Sequence, residues 1–284
     1  MNTTIYYSLQ NAYQQLAGCS DTSHLDAEIL LAHVLQCKRS SLRAHPDKVL
    51  TTEQQSLFNQ LIDQRLKGVP VAYIIEHREF WSVKLQVSPA TLIPRPETEC
   101  LVGMVLATVP AEKPLIVADL GTGSGAIAIS LAKERPHWHI LATDNEWAAL
   151  SIAQQNAYQL GLNNITFFYG DWFQALPTHL KLDVVVSNPP YISEQDPHLD
   201  LGDLRFEPRS ALASGPDGLK DLTIIIAQAQ KYMQPGAWLF LEHGYNQGSA
   251  VQTLLQRAGY LNEVGLKDLA GQPRVAMGQT GLYE

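Results

Sequence analysis

A glycine-rich turn is the first feature of the sequence that could do chemistry. Residues 117–132 read VADLGTGSGAIAISLA, an apolar run that passes through three glycines into a helical pattern. Glycines let a backbone approach a ligand closely, and the start of a helix offers free N–H groups. The spacing differs from GxGxxG and from GxxxxGK[ST], and no lysine follows to hold a phosphate. The turn therefore predicts ligand binding by Gly121, Thr122, Gly123, Ser124 and Gly125.

Acidic residues end the next two apolar runs. Asp144 lies 25 residues after Asp119, and in doubly wound sheets an acid at this place accepts hydrogen bonds from both ribose hydroxyls. Asp171 and Trp172 follow the next run, where a carboxylate could accept from an adenine amino group and an indole could cover the ring. Helix capping and core packing are the alternative roles. Together with the glycine turn, these residues describe a nucleoside site without a pyrophosphate clamp, which favours S-adenosylmethionine over NAD.

The run Asn188-Pro189-Pro190-Tyr191 is the third chemical feature. Each proline fixes its own φ and restricts the residue before it, which predicts a stiff turn after a strand, where ligands of open α/β sheets bind. The Asn188 side-chain oxygen and the Pro189 carbonyl are both acceptors, and Tyr191 supplies a flat ring. Two acceptors beside a ring match a planar NH2 group. The alternative is a rigid surface turn with a capping asparagine.

This turn suggests a mechanism for methyl transfer to nitrogen. The nitrogen of a planar NH2 group is a weak nucleophile because its lone pair is delocalised, so the protein must hold nitrogen, methyl carbon and sulfur in line. Accepting both N–H hydrogens stabilises the positive charge that develops on nitrogen. We expect Asn188, Pro189 and Tyr191 to be catalytic, Pro190 to complete the substrate site, and Asn188 also to border the cofactor. No metal is predicted and no general base is assigned; four alternatives lack a spacing argument, namely Glu97, Glu99, Glu242 and His243.

The elements that position these motifs follow from the hydrophobic pattern after residue 97. Strands alternating with crossover helices predict an α/β domain with a doubly wound, mostly parallel sheet. Five apolar runs precede two late ones, giving seven predicted strands at 115–119, 139–144, 165–169, 183–187, 237–242, 261–267 and 273–278.

Residues 1–76 are predicted to form a small all-α bundle. Ser23 followed by Asp26 has the pattern of a capping box, and a third helix near 52–66 should end at Gly68–Pro70. No side chain here has an obvious chemical role, so we expect the bundle to hold a protein partner. Apolar residues at helical spacing define its predicted inner faces: Ile5, Leu9, Tyr13, Leu16, Leu25, Ile29, Ala32, Leu35, Leu57, Leu61, Ile62 and Leu66.

Residues 77–96 are predicted to be a β-hairpin that links the bundle to the catalytic domain at 97–284. The alternating run REFWSVKLQVSPATLI suits two short strands that turn near Ser88–Pro89. Pro96 would suit the first position of the next helix.

Composition limits the class of protein. The 284 residues are 45% hydrophobic and 17% charged, which is typical of globular chains and too apolar for disorder. The net charge of −8 opposes stable binding to nucleic acid through its backbone. Cys19, Cys37 and Cys100 lack paired spacing and are expected to be free thiols in a reducing compartment. Without a signal-peptide pattern or a long apolar run, we expect a cytoplasmic protein that does not bind membranes.

Taken together, DLGTGSG and NPPY resemble the class I S-adenosylmethionine-dependent amino-methyltransferases. The segments REFWSVKLQVSPATLIPRPETE at 78–99, EPRSAL at 207–212 and LEHG at 241–244 extend the likeness over nearly the whole chain. They resemble the bacterial peptide chain release factor N5-glutamine methyltransferase family. The resemblance implies a class I methyltransferase fold, S-adenosylmethionine as cofactor and S-adenosylhomocysteine as product. It also implies class 1 release factors as partners, methylated at N5 of the glutamine in their GGQ motif.

Two other interpretations stay open. A nucleic-acid amino-methyltransferase of the adenine N6 type could use the same proline turn, but it would require a basic face and a target-recognition segment. A non-catalytic module could keep the sheet and dock a release factor or ribosomal protein, although the intact glycine turn, Asp144 and NPPY count against it. Methyl transfer to release factor, to nucleic acid or to neither separates the three.

Overall fold

The computed structural model describes residues 3–268 and 270–282. The chain divides into two compact units. The helical unit comprises the residues up to His77 together with Leu201–Phe206. The sheet unit comprises Arg78–Asp200 and the residues from Glu207 onward.

Within the described residues, the helical unit has five α-helices, and the predicted N-terminal helices are confirmed. Helix α4 begins with a capping box in which Thr51 Oγ1 accepts from the Gln54 N–H at 3.2 Å. The chain leaves α4 at Gly68, whose φ of 91° suits glycine. The helices are α1 (Ile5–Leu16), α2 (Ser23–Val34), α3 (Arg39–Ala44), α4 (Thr52–Leu66) and α5 (Val71–Ile74).

The capping box predicted at Ser23 is wrong. Ser23 is the first helical residue of α2, and Thr22, at the cap position, makes no capping hydrogen bond with its side chain. The Asp26 carboxylate instead accepts from Arg65 Nε at 2.7 Å, and both side chains are buried. A buried carboxylate is stabilised by a guanidinium partner that local sequence does not reveal. Arg65 also donates to Asp203 Oδ1 at 2.8 Å, which holds Leu201–Phe206 within the helical unit.

The predicted inner faces of the bundle are partly wrong. Leu25, Leu57 and Leu66 are exposed, whereas Phe58 and Leu30 lie in the core. Helix α2 is apolar around much of its circumference, so spacing alone does not identify the side that its neighbours cover.

The hairpin opens the sheet unit, but its predicted turn is wrong. Strands β1 (His77–Phe80) and β2 (Val83–Gln86) meet at Trp81 and Ser82, whose φ values are 49° and 54°. A two-residue turn of this kind matches the twist of the strands. The Trp81 N–H donates to Glu99 Oε1 at 2.8 Å, a contact that stabilises a turn with no glycine. Pro96 does not begin the next helix either, because α6 (Thr98–Thr108) starts two residues later.

The predicted seven-stranded, mostly parallel sheet is confirmed. Its order is β5-β4-β3-β6-β7-β9-β8, and only β9 runs antiparallel to its neighbours among the described strands. The order reverses between β3 and β6, which is the topological switch point where open α/β sheets bind ligands. The strands are β3 (Ile116–Leu120), β4 (His139–Asp144), β5 (Ile165–Tyr169), β6 (Leu182–Ser187), β7 (Met233–Glu242), β8 (Leu261–Lys267) and β9 (Pro273–Gln279).

Helices cover the sheet on both sides, and successive residues of a strand alternate between two hydrophobic clusters. Val117 packs in one cluster and Ala118 in the other. Strands that are covered on both faces have little freedom to tilt, so their carboxyl ends form a stable edge. The helices are α6, α7 (Ala126–Glu134), α8 (Trp147–Gln159), α9 (Lys220–Tyr232) and α10 (Gly248–Arg257). In the described part of the chain, every helix is too short or too polar to cross a membrane.

Candidate active site

A cavity of about 480 Å³ lies in the sheet unit at the carboxyl edge of the central strands. This volume is typical of small-molecule sites. Loops after β3, β4, β5 and β6 line it, together with residues from other segments of the sheet unit. Nine of the predicted site residues line the cavity: Gly121, Thr122, Gly123, Ser124, Asp144, Asp171, Trp172, Asn188 and Pro190.

The glycine turn is held on the end of the neighbouring strand β4. The N–H groups of Gly121 and Thr122 both donate to the Thr143 carbonyl at 2.9 Å. Gly123 has a φ of 58°, and a Cβ built there would meet no atom within 4 Å, so its backbone is open to a ligand. Gly125 does not line the cavity; a Cβ there would lie 3.2 Å from Ala153 of α8, which indicates a packing requirement.

Asp144 is placed at the end of β4 with its carboxylate beside the glycine turn. Oδ2 accepts from the Gly123 N–H at 2.8 Å, and Oδ1 accepts from the Glu146 N–H at 2.9 Å. Burial raises the pKa of Asp144, while these two backbone donors act in the opposite direction. Each oxygen keeps a lone pair, so the carboxylate can still accept hydrogen bonds from a ligand in the cavity.

Asp119 is a residue whose role sequence reasoning missed. It is fully buried at the end of β3, and its Oδ2 accepts from the Thr122 hydroxyl at 2.6 Å and the Ala128 N–H at 3.0 Å. Desolvation by burial raises its pKa to about 7. Asp119 therefore joins the glycine turn to the start of α7. The signal was available in its position at the end of an apolar run immediately before the glycines.

Trp172 packs against the glycine turn, and Asp171 precedes it on the cavity lining. The Trp172 ring lies against Gly121, 3.0 Å from where a Cβ would stand. Asp171 Oδ1 accepts from Asn145 Nδ2 at 2.7 Å. Trp172 has a φ of 43°, a conformation that a bulky residue adopts only where surrounding contacts enforce it. The indole and the carboxylate thus border one end of the cavity.

The proline turn brings Asn188 to the cavity after β6, which β4 and β3 separate from β5 in the sheet. Asn188 Nδ2 donates to Thr98 Oγ1 at 3.1 Å, which leaves its oxygen available to a ligand. Pro190 lines the cavity, whereas Pro189 is buried and Tyr191 is half-buried behind the lining. The Tyr191 hydroxyl donates to Glu242 Oε1 at 3.1 Å. The Tyr191 ring is therefore held by the end of β7.

Two later loops clamp the backbone of this turn. Gln247 Nε2 donates to the Tyr191 carbonyl at 2.9 Å. Ile192 pairs with Ala213 in an isolated parallel bridge, and the Ile192 N–H donates to the Leu212 carbonyl at 2.9 Å. Gly218, with a φ of 76°, packs against the Tyr191 carbonyl. The geometry of the turn thus depends on contacts made far along the chain.

Replacing Gly218 by alanine is expected to displace this clamp. A Cβ would lie 2.2 Å from the Tyr191 carbonyl oxygen, so the two backbones must separate. We expect a loss of about 2 kcal/mol in the free energy of unfolding, measured with denaturant. The matched control is Gly161→Ala, because Gly161 has a similar φ of 68° but nothing within 4 Å. Equal losses in the two variants would show that backbone strain, and not the clamp, is responsible.

Sequence reasoning also missed two segments that line the cavity. Lining residues come from 90–94 and from 208–211. Glu207, whose side chain is buried, joins them by accepting from the Ile93 N–H at 3.0 Å and by pairing with Arg95. Both segments contain motifs that carried the family resemblance, but neither motif has a spacing that predicts this contact.

The four alternative general bases lie outside the residues that line the cavity. Glu99 accepts from the Trp81 N–H, and Glu242 is fully buried. Burial lowers the pKa of His243, which favours its neutral form. Among the described residues, no three His, Cys, Asp or Glu side chains form a group suited to a metal ion.

Comparison with known proteins identifies two matching family models and several similar relatives. Residues 8–75 match the family model of the PrmC N-terminal domain, and residues 103–234 match that of the methyltransferase small domain. The release factor glutamine methyltransferase of Coxiella burnetii is 48% identical over 98% of this chain and 99% of its own. That of Xylella fastidiosa strain 9a5c is 51% identical over 93% and 95%. Among solved structures, a methyltransferase from Pyrococcus furiosus aligns with a TM-score of 0.53 at 14% identity, over 70% of this chain and 89% of its own, which supports the fold.

Proposed function

The chain belongs to the release factor glutamine methyltransferase family. We propose that its cavity binds S-adenosylmethionine and is the site at which a glutamine of a release factor is methylated. The acceptor is the side-chain amide nitrogen, N5, of the glutamine in the GGQ motif of class 1 release factors. One observation carries this proposal. A nucleoside-type half, with the glycine turn and Asp144, and an amide-type half, with Asn188, line the same cavity.

The first half fits S-adenosylmethionine in shape and in chemistry. When bound, this cofactor supplies an electrophilic methyl group on a sulfonium centre. The open backbone at Gly123 allows close approach, and the Asp144 carboxylate has lone pairs for ribose hydroxyls. Trp172 offers a ring face and Asp171 an acceptor at the adenine end. No group in this half resembles a pyrophosphate clamp, which agrees with a cofactor that has no phosphates.

The second half fits a primary amide. Asn188 Oδ1 is an acceptor on the cavity lining, and the Pro189 carbonyl is proposed as the second acceptor, although Pro189 is buried and outside the lining; an amide NH2 group has two donors. Accepting both hydrogens orients the nitrogen and stabilises the charge that develops on it. The protein then needs no strong base, since the sulfonium supplies the driving force. This agrees with a cavity lined by none of the four alternative bases.

The helical unit is proposed to contribute to binding of the release factor. All residues that line the cavity belong to the sheet unit, which leaves the helical unit without a role in the chemistry. A chain that begins at residue 79 should therefore bind S-adenosylmethionine with unchanged affinity but methylate intact release factor slowly. Calorimetry and initial rates measure the two properties. A full rate from the shortened chain would exclude the docking role.

A methyl-transfer assay tests the proposed function directly. The full chain is incubated with radiolabelled S-adenosylmethionine and, in separate reactions, a class 1 release factor, the same factor with its GGQ glutamine replaced by alanine, and DNA or RNA. Label is expected only on the intact release factor. Label on nucleic acid would support an adenine-type methyltransferase instead, and no transfer at all would support a binding module.

A further inference from the structure

The surface of the helical unit around α3 is basic, in contrast to the rest of the chain. Residues 38–48 include four lysines or arginines and one aspartate, a net charge of +3, so the remaining residues carry −11. All four cations are exposed, namely Lys38, Arg39, Arg43 and Lys48. Within the part of the chain that the structure describes, neither lysine makes an ion pair. The segment is therefore a local positive surface on an acidic protein.

A buried carboxylate holds the two arginines of this segment. The Glu28 side chain is only 8% exposed, and it accepts from Arg39 Nη2 at 2.7 Å and from Arg43 Nη2 at 3.1 Å. The side chains of Arg39 and Arg43 are nevertheless 45% and 74% exposed, and each guanidinium keeps N–H donors that Glu28 does not use. Two cations share one anion, so positive charge is left over. Because both groups are already held, they lose little conformational entropy when they bind a second carboxylate.

Exposed aromatic side chains adjoin the basic segment. Tyr6 and Tyr7, at the start of α1, are 50% and 65% exposed, and their ring centroids are 5.4 Å apart. The Tyr6 N–H donates to the Pro46 carbonyl at 2.9 Å, and the Ile5 N–H donates to the Lys48 carbonyl at 2.9 Å. Tyrosine and arginine are enriched among the residues that contribute most to protein interfaces. We refer to the following side chains together as the α3 surface: Tyr6, Tyr7, Lys38, Arg39, Arg43 and Lys48.

We propose that the α3 surface binds an acidic segment of the release factor. The inference rests on the proposed function, and it names the part of the helical unit that makes the contact. Arginine pairs with carboxylates through parallel N–H donors, and the flanking tyrosines add apolar contact area beside the charges. An RNA backbone is less suited, since a polyanion that extends beyond the α3 surface would meet a chain whose other residues carry −11.

Replacing Lys38, Arg43 and Lys48 together by glutamine tests the charge of this surface. Arg39 remains as a partner for the buried Glu28, so the helical unit should stay folded. We expect KM for intact release factor to rise about tenfold at low ionic strength, because charges at the edge of an interface mainly steer association. The kcat at saturating release factor and the affinity for S-adenosylhomocysteine should not change. In about 0.5 M salt the variant and the unaltered chain should have the same KM, because exposed charges are then screened.

The matched control replaces three exposed cations of the sheet unit by glutamine, namely Lys84, Lys231 and Arg257, and has the same net charge. Arg257 lies in the last turn of α10, as Arg43 lies in the last turn of α3. Its KM should stay within about twofold of the unaltered chain, since isolated exposed charges contribute little. Equal KM values in the two variants, or a rise in KM that salt does not remove, would overturn the inference.

A binding experiment with single-stranded RNA distinguishes the other class of partner. The unaltered chain is expected not to bind it at physiological ionic strength. RNA binding that is lost in the α3-surface variant, with an unchanged KM for release factor, would assign the surface to nucleic acid and overturn the inference. Failure of the proposed function would be seen separately, as no methyl transfer to release factor by the unaltered chain.

Discussion

Asn188→Ala is expected to lower kcat for release-factor methylation by about 10²–10³, with nearly unchanged affinity for S-adenosylmethionine. The reason is that the Asn188 oxygen would accept from the amide nitrogen as positive charge develops there, and such a bond strengthens in the transition state. By analogy with oxyanion-hole donors, its loss corresponds to roughly 2.7–4 kcal/mol. The bond of Nδ2 to Thr98 holds the side chain ready for this role before substrate arrives.

Single-turnover kinetics with saturating cofactor and release factor measure this effect. Asn188→Asp keeps the shape and the acceptor oxygens, so it should retain partial activity. Asn163→Ala removes an exposed asparagine outside the cavity and should behave as the unaltered chain. If Asn188→Ala reacted at the wild-type rate, the proline turn would be a structural feature and the substrate half of the site would have to be sought elsewhere.

Asp144→Ala is expected to weaken binding of S-adenosylmethionine by about 10–150-fold. Hydrogen bonds to a charged group contribute about 1.5–3 kcal/mol, which corresponds to this range of dissociation constants. The carboxylate also accepts a hydrogen bond from the Gly123 N–H, so its removal would also remove a contact that holds the glycine turn in place. Asp144→Asn keeps one acceptor oxygen and should lie between alanine and wild type.

A matched control exists for the local turn that Asp144 makes. Asp196 accepts from the His198 N–H two residues ahead at 2.9 Å, as Asp144 accepts from Glu146, but Asp196 does not line the cavity. Asp196→Ala should leave cofactor affinity unchanged. Isothermal titration calorimetry compares the variants, and an unchanged dissociation constant for Asp144→Ala would remove the ribose assignment.

The sequence was sufficient where local pattern decides structure. Apolar runs separated by helical stretches predicted all seven strands of the sheet, and the signal was strongest in the central strands, because a strand buried on both faces must be apolar throughout. The chain order of the motifs then predicted their position, since loops after parallel strands reach the same edge. For this reason Asp144, Trp172 and Asn188 line one cavity although up to 44 residues separate them along the chain.

Local pattern failed where a distant partner decides the outcome. The hairpin turns at Trp81 and not at Ser88, with the Trp81 backbone bonded to Glu99 of α6. Asp26 does not cap its helix, since Arg65 lies 39 residues away in sequence but in contact in space. In both cases a tertiary contact overrides a weaker local preference of the sequence.

What the sequence determined by itself is therefore the sheet, the order of its loops and the residue types at their tips. Only the tertiary structure decided how those tips are held. Asn188 is oriented by Thr98, 90 residues away, and Tyr191 is held by Glu242, 51 residues away. Thr98 lies in the 78–99 segment and Glu242 in LEHG, but neither motif has a spacing that predicts these contacts, because they form only once distant elements are packed together.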